Sequence, residues 1–185
     1  MAVTRDIPRA WIRPQAVMSD LLGRGPDDRV AFTYLAAGSV LGFVSQLPAT
    51  VRRSREADPE FDARLLQEAG EAGLATGDLA DVKFDALISG ALMGWIFVVP
   101  LVMYILAFLV RLIATLFGGH GDGLRQRVAL FWSFLAVTPA LLLLGLTSGF
   151  VGPGPAETLV GTIVVCGFIW IWVNSLYVAE AAEHV

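Results

Sequence analysis

Cysteine, histidine and lysine are scarce in this sequence. The chain contains one cysteine, Cys166, and two histidines, and Lys83 is its only lysine. A single cysteine can form neither an internal disulfide nor a cysteine-based metal site. No two histidines have metal-ligand spacing, and no serine-hydrolase or zinc-protease motif occurs. We therefore predict a protein that is not an enzyme and that holds no cofactor or metal.

Charged residues are also few. They make up 16% of the chain, whereas 56% of its residues are hydrophobic; soluble domains average about 25% charged and about 45–50% apolar residues. The formal net charge of −4 does not favour binding to nucleic acid. Because the apolar excess is gathered in four blocks, the composition predicts a polytopic membrane protein surrounded by the lipid bilayer.

Each apolar block is long enough to cross a hydrocarbon core about 30 Å thick, which takes about 20 helical residues. The sequence therefore predicts an all-α fold, a bundle of four transmembrane helices over residues 30–178, followed by a short tail at 179–185. The predicted spans are residues 30–51, 86–110, 128–150 and 158–178.

Arg111 is the one charge in the second apolar block, which runs from Ala86 to Phe117. A helix of that length, about 48 Å at about 1.5 Å per residue, is too long for one untilted span. An arginine at mid-bilayer costs at least about 2.5–3.5 kcal/mol, whereas near a helix end its side chain reaches the headgroups. We predict that Arg111 marks the membrane interface. The alternative is a buried charge with a gating or binding role.

Residues 1–29 form a basic segment with apolar residues at helical spacing. Pro14 suits the first position of a helix, so residues 14–22 are predicted to form an amphipathic helix that lies on the membrane surface. Trp11 would then be a membrane-interface residue. The alternative is that this helix packs on the protein's own polar loops.

Residues 52–85 form the one sizeable polar region and contain nine acidic residues. Asp58-Pro59 is typical of a helix start, and Asp78 suits the N-cap of a second helix. The acidic residues lack the spacing of a calcium-binding loop. We therefore predict a solvated acidic face rather than a cation site.

Three of the spans carry two glycines four residues apart, a pattern that lets helix backbones approach closely. We predict that these glycines pack the spans together: Gly38, Gly42, Gly90, Gly94, Gly145 and Gly149. Two amides within spans, Gln46 and Asn174, are predicted to pair across helices. Aromatic residues cover several faces of the fourth span, which predicts contact with lipid or a partner: Phe168, Trp170, Trp172 and Tyr177.

The distribution of basic residues predicts the orientation in the membrane. If the N-terminus is cytoplasmic, that side holds eight basic residues and the opposite side holds five. Both termini are then predicted to be cytoplasmic. The use of arginine in place of lysine hints at a GC-rich bacterial genome, so the predicted location is the bacterial inner membrane.

The order of these elements resembles that of bacterial YIP1 family proteins, over about residues 12–178. The resemblance is carried by "RPQAVMSDLL" before the first span, by Pro100 and Pro139 within the second and third spans, and by the "GFVGPGP" hairpin. Eukaryotic relatives bind small GTPases, but their Asp-Leu-Tyr-Gly-Pro signature is absent here and the family usually has five spans. The resemblance therefore implies only an integral membrane protein that acts through partners or lipids.

Two classes of function remain. One is an interaction, accessory or assembly subunit whose partner is another integral membrane protein or complex. The other is a small transporter or channel. Coupled transporters usually place ionisable groups near mid-membrane, and the four predicted spans contain none. The sequence therefore favours the accessory subunit.

Overall fold

The computed structural model describes residues 3–71, 78–116 and 122–181, so the last four residues of the predicted tail lie outside the described part. The described residues form seven helices and no strand. The helices are α1 (Val3–Ile12), α2 (Pro14–Leu22), α3 (Asp28–Arg55), α4 (Pro59–Glu71), α5 (Leu79–Leu116), α6 (Gly123–Val151) and α7 (Pro155–Ala181).

Four of these helices, α3, α5, α6 and α7, are long and apolar enough to cross a membrane. The predicted all-α, four-span bundle is therefore confirmed. Helix α5 has 38 residues and continues past the predicted end of its span, through Arg111 to Leu116. Its last residues are mostly good helix formers, and none of them is a glycine or proline that would end the helix earlier.

Carboxylate side chains fix the starts of several helices. In each case the side chain accepts a hydrogen bond from a backbone N–H two or three residues later, at 2.9–3.4 Å, which satisfies one of the free donors of the first turn. These residues are Asp27, Asp58, Asp78 and Asp122. The predicted helix starts after Asp58 and Asp78 are confirmed, and Pro155 is the first residue of α7.

Helix α6 is the central helix of the bundle. In its most apolar stretch 67% of the residues are buried, compared with 33% in α3, 22% in α7 and 11% in α5. Phe131 and Trp132 have no exposed surface, and the ring of Tyr34 packs edge-on against Trp132 at 5.3 Å between centroids. Helices α3 and α7 lie along α6, while α5 is joined to the bundle along a narrower strip.

Polar contacts show which helix ends lie together. Arg127 at the start of α6 pairs with Asp28 at the start of α3, at 2.6 Å. At the opposite end, Arg52 near the end of α3 donates a hydrogen bond to the carbonyl of Ser148 at 3.2 Å. We call the end of the bundle with Asp28 and Arg127 the terminal end, and the end with Arg52 and Ser148 the hairpin end. Since residues 152–154 join α6 and α7 in a short turn, α7 runs back to the terminal end.

Candidate interaction surfaces

Helices α1 and α2 form an antiparallel hairpin on the terminal half of the bundle. Arg9 of α1 pairs with Asp20 of α2 at 3.0 Å, and Asp6 pairs with Arg24 at 3.6 Å. These contacts join the beginning of the segment to its end, with the turn at Arg13. The hairpin was not predicted, because α1 carries Pro8 in its interior and only Pro14 gave a clear helix signal.

The apolar face of α2 is buried within the protein. Val17, Met18 and Leu21 are at most 3% exposed, and they belong to apolar clusters with buried residues of α6 and α7. The helix over residues 14–22 forms as predicted. Its apolar face, however, is covered by the spans rather than by lipid or by polar loops.

Trp11 is inserted between α6 and α7. Its indole N–H donates a hydrogen bond to the carbonyl of Ala136 at 3.0 Å, close to the turn where Pro139 removes a backbone donor from α6. The indole ring lies against Gly167, where any Cβ atom would overlap it. Trp11 therefore holds α1 to α6 and α7, and its role as a membrane-interface residue stays a prediction.

Gly145 and Gly149 bring α6 into backbone contact with α3. A Cβ on Gly145 would overlap the carbonyl group of Ser45, and one on Gly149 would overlap Pro48. The missing side chains thus let the two backbones touch, which is the role predicted for these glycines.

Gly38 and Gly42 make room for aromatic rings rather than for a backbone. Gly38 lies against the ring of Phe134, and Gly42 lies against the indole of Trp95. The two rings stack on each other, with centroids 6.4 Å apart. These glycines pack the spans as predicted, but through side chains from α5 and α6.

Gly90 and Gly94 have no such contact. No described atom lies within 4 Å of a Cβ built on either residue, outside their own helix and chain neighbours. The prediction that they pack α5 closely against another span is wrong for the described part of the chain. The physical reason is that Gly90 is exposed and Gly94 half-buried, so that both lie in the wall of an open groove between α3 and α5 rather than at a helix contact.

That groove, which we call the α3–α5 groove, has a volume of about 660 Å³. Gly90 and Gly94 lie in its wall, and most of the remaining lining is apolar. Its polar side chains come from α3 and α4: Gln46, Thr50, Arg53 and Glu68. Sequence patterns could not reveal the groove because it depends on the angle between two helices.

The aromatic residues of α7 divide into two groups. Trp170 and Tyr177 are 53% and 68% exposed, and their contact with lipid or a partner stays a prediction. Phe168 and Trp172 stack on each other at 5.8 Å and pack against the core. The four aromatic residues thus lie on different faces of α7, since the helical period turns Phe168 and Trp172 partly inward.

The broadest exposed apolar surface belongs to α5. From Val99 to Leu116 only Met103 and Ala107 are buried, whereas Phe97, Leu101 and Phe108 are 61–65% exposed. The sequence did not single out this surface, because a helix that is apolar on all sides gives no sign of which side packs.

Arg111 lies at the terminal end. Arg111 is exposed on the protein surface, and its guanidinium group lies against Gly123, the first residue of α6. This position matches the level at which α6 begins. A role of Arg111 at the membrane interface stays a prediction.

The two intramembrane amides do not pair with each other. The amide of Asn174 accepts a hydrogen bond from Gln15 of α2 at 3.0 Å, so its partner comes from the N-terminal hairpin. Within the described residues the Gln46 side chain makes no hydrogen bond, and it lines the α3–α5 groove.

Lys83 contacts both α4 and the segment after α3 in the polar region at the hairpin end. Its ammonium group lies 2.6 Å from the carboxylate of Asp62 in α4 and donates a hydrogen bond to the carbonyl of Glu56 at 2.6 Å. The hydrogen bond from Lys83 lowers the pKa of Asp62; partial burial opposes this effect, and the backbone N–H of Asp58 adds to it. These contacts hold α4 against the ends of α3 and α5.

The acidic residues of α4 face outward. Glu60, Glu68 and Glu71 are exposed, in agreement with a solvated acidic face. Across residues 3–71, 78–116 and 122–181, no group of three or more metal-binding side chains is placed to hold an ion.

No family model matches this chain, and no curated protein or solved structure shows a significant match to it. The resemblance to the YIP1 family therefore stays a prediction based on the order of its motifs. The chain is an all-α protein with four helices suited to spanning a membrane.

Proposed function

We propose that this protein is a non-catalytic accessory or assembly subunit of a larger complex in the bacterial inner membrane, and that α5 is its contact with another integral membrane protein. The observation that carries this proposal is the exposed face of α5. Only 11% of the residues in its most apolar stretch are buried in the bundle, so most of the apolar surface of that stretch is open to a neighbour.

The terminal end of α5 favours a protein partner over lipid alone. Past Arg111, the side chains of Leu112, Ile113 and Leu116 are 47%, 54% and 77% exposed. A span placed at residues 87–110 already fills a hydrocarbon core about 30 Å thick, so these side chains lie where lipid tails end. Contiguous exposed apolar surface of this kind marks interaction sites.

The same face carries residues suited to a helix–helix interface. Phe97 and Phe108 project from α5 about three turns apart, since 11 residues rise about 16 Å, and large side chains of this type are enriched in interface cores. The centre of the bundle, by contrast, is filled by Phe131 and Trp132 of α6. That packing counts against the alternative, a small transporter or channel.

The test compares native complexes after gentle solubilisation. We expect the wild type to migrate with a second membrane protein in fixed stoichiometry, and the double variant Phe97→Ala, Phe108→Ala to migrate alone with unchanged helical circular dichroism. Phe150→Ala is the matched control, because Phe150 is 82% exposed but lies at the hairpin end of α6. Native mass spectrometry gives the mass of each species.

Two results would contradict the proposal. One is a double variant that keeps the complex intact. The other is a wild type that migrates alone and moves a solute across reconstituted vesicles, which would favour the transporter.

We also propose that both termini lie in the cytoplasm and that the hairpin end faces the periplasm. At the hairpin end Arg52 pairs with Glu56 at 2.7 Å, and Lys83 pairs with Asp62, so two of the five basic residues on that side are neutralised by neighbours. Reporter fusions at residue 185 and within residues 60–75 should report cytoplasm and periplasm, respectively. The reverse result would contradict this proposal and would place both termini in the periplasm.

A further inference from the structure

The α3–α5 groove has the size of a ligand site. Its volume of about 660 Å³ falls within the range of about 300–1,000 Å³ that is usual for small-molecule pockets. Gly90 and Gly94 leave its wall without side chains, and Val98 and Val99 continue it along the span. This part of the groove offers a smooth apolar channel, open to the side, which suits a hydrocarbon chain.

Polar side chains are graded along the same groove. Arg53, Thr50 and Gln46 occur on α3 at spacings of three and four residues, so they share a face. At about 1.5 Å per residue, Gln46 lies about 10 Å deeper than Arg53 along the helix axis. With the first span at residues 30–51, Arg53 lies at the level of lipid headgroups and Gln46 lies within the apolar region.

Gln46 points to a ligand with polar atoms below its charged group. Its side chain is partly exposed where it lines the groove, and a polar group facing hydrocarbon without a partner costs several kcal/mol, on the order of 2–7. The hydroxyl of Thr50 is already bonded to the carbonyl of Gln46 at 2.9 Å. An ester carbonyl of a glycerolipid would accept a hydrogen bond from the Gln46 amide.

The mouth of the groove carries charges of both signs. Within the described part of the chain Arg53 forms no ion pair, whereas its neighbour Arg52 is held by Glu56. Glu68 of α4 lines the same groove and is exposed. A guanidinium and a carboxylate together complement a phosphate linked to a primary ammonium, and guanidinium–phosphate hydrogen bonds are among the stronger ones.

We propose that the α3–α5 groove binds one phospholipid with an ethanolamine headgroup. Arg53 holds the phosphate, Glu68 accepts hydrogen bonds from the ammonium, Gln46 bonds an ester carbonyl, and one acyl chain lies over Gly90 and Gly94. An anionic glycerol headgroup offers Glu68 only uncharged hydroxyl donors and adds no positive charge, and a choline headgroup carries no N–H to donate. The site therefore selects ethanolamine over both.

The test measures lipid retained by the full-length protein. The protein is reconstituted in nanodiscs containing equal amounts of phosphatidylethanolamine, phosphatidylglycerol and phosphatidylcholine, released into mild detergent, and weighed by native mass spectrometry. We expect one retained phosphatidylethanolamine per wild-type chain. Arg53→Gln should lower its retention about tenfold, the effect of losing one hydrogen bond to a charged group.

Further variants distinguish recognition of the lipid headgroup from binding of the acyl chain. Glu68→Gln should abolish the preference for phosphatidylethanolamine over phosphatidylglycerol, and Gly94→Leu should displace the acyl chain while leaving helical circular dichroism unchanged. Arg55→Gln is the control, because Arg55 is an exposed arginine of α3 that does not line this groove. Equal retention of all three lipids by the wild type, or equal losses in Arg53→Gln and Arg55→Gln, would overturn the proposal.

Discussion

Replacing Gly145 with alanine should destabilise the protein relative to the same change at Gly90. A Cβ on Gly145 would overlap the carbonyl of Ser45, and a backbone cannot move aside as a side chain can, so α3 and α6 must separate. Overpacking of this kind typically costs about 1–3 kcal/mol. The same substitution at Gly90 meets open space.

The Gly90 variant also corrects for helix propensity. Replacing glycine by alanine inside a helix gains about 0.5–1 kcal/mol at either site, so this gain cancels when the two variants are compared. The expected difference in free energy of unfolding is therefore about 1–3 kcal/mol, the overpacking cost alone. Titration of the detergent-solubilised protein with dodecyl sulfate, followed by circular dichroism, measures it. Equal stability of Gly145→Ala and Gly90→Ala would refute the backbone contact between α3 and α6.

Three further predictions follow from individual contacts. Trp11→Phe should lower the free energy of unfolding by about 1 kcal/mol, because it removes one hydrogen bond and keeps a ring; an unchanged value in the same titration would contradict this contact. Trp172→Leu should destabilise the protein more than Trp170→Leu, since only Trp172 packs against the core; the reverse order would show that the two residues are exchanged in role. The lowered pKa of Asp62 means that its contact with Lys83 stabilises the fold above about pH 4, the ordinary aspartate range, and loses this contribution as the pH falls through the lowered value. The difference in melting temperature between wild type and Asp62→Asn should accordingly shrink below about pH 4, and a difference that grows instead would reject the ion pair.

Local chemistry made the helix starts predictable. Asp58, Asp78 and Pro155 occupy the positions that their side chains favour, and each marks a helix start in the structure. The four spans were equally predictable from the sequence, because length and hydropathy alone decide whether a helix suits a bilayer. These features depend on residues close together in the chain.

Features that depend on the relative placement of helices could not be predicted. The pairs at Gly90–Gly94 and Gly145–Gly149 have the same spacing, yet only the second lies where two backbones meet. Trp11 has the sequence context of an interface residue, and only the position of Gly167 shows that its ring enters the bundle. The partner surface on α5 was missed for a related reason, since a helix that is apolar on every side does not reveal its packed face.

The most direct test of the account is a photo-crosslinking scan in intact membranes. A photoreactive residue is placed on α5, at Phe97, Leu101 or Phe108, and on α7, at Val165 or Val173; all five positions are at least 54% exposed. If α5 is the partner surface, the three α5 positions crosslink to the same membrane protein, the one that co-purifies in fixed stoichiometry, and the α7 positions do not. Crosslinks from α5 to lipid only, or equal protein crosslinks from both helices, would contradict it.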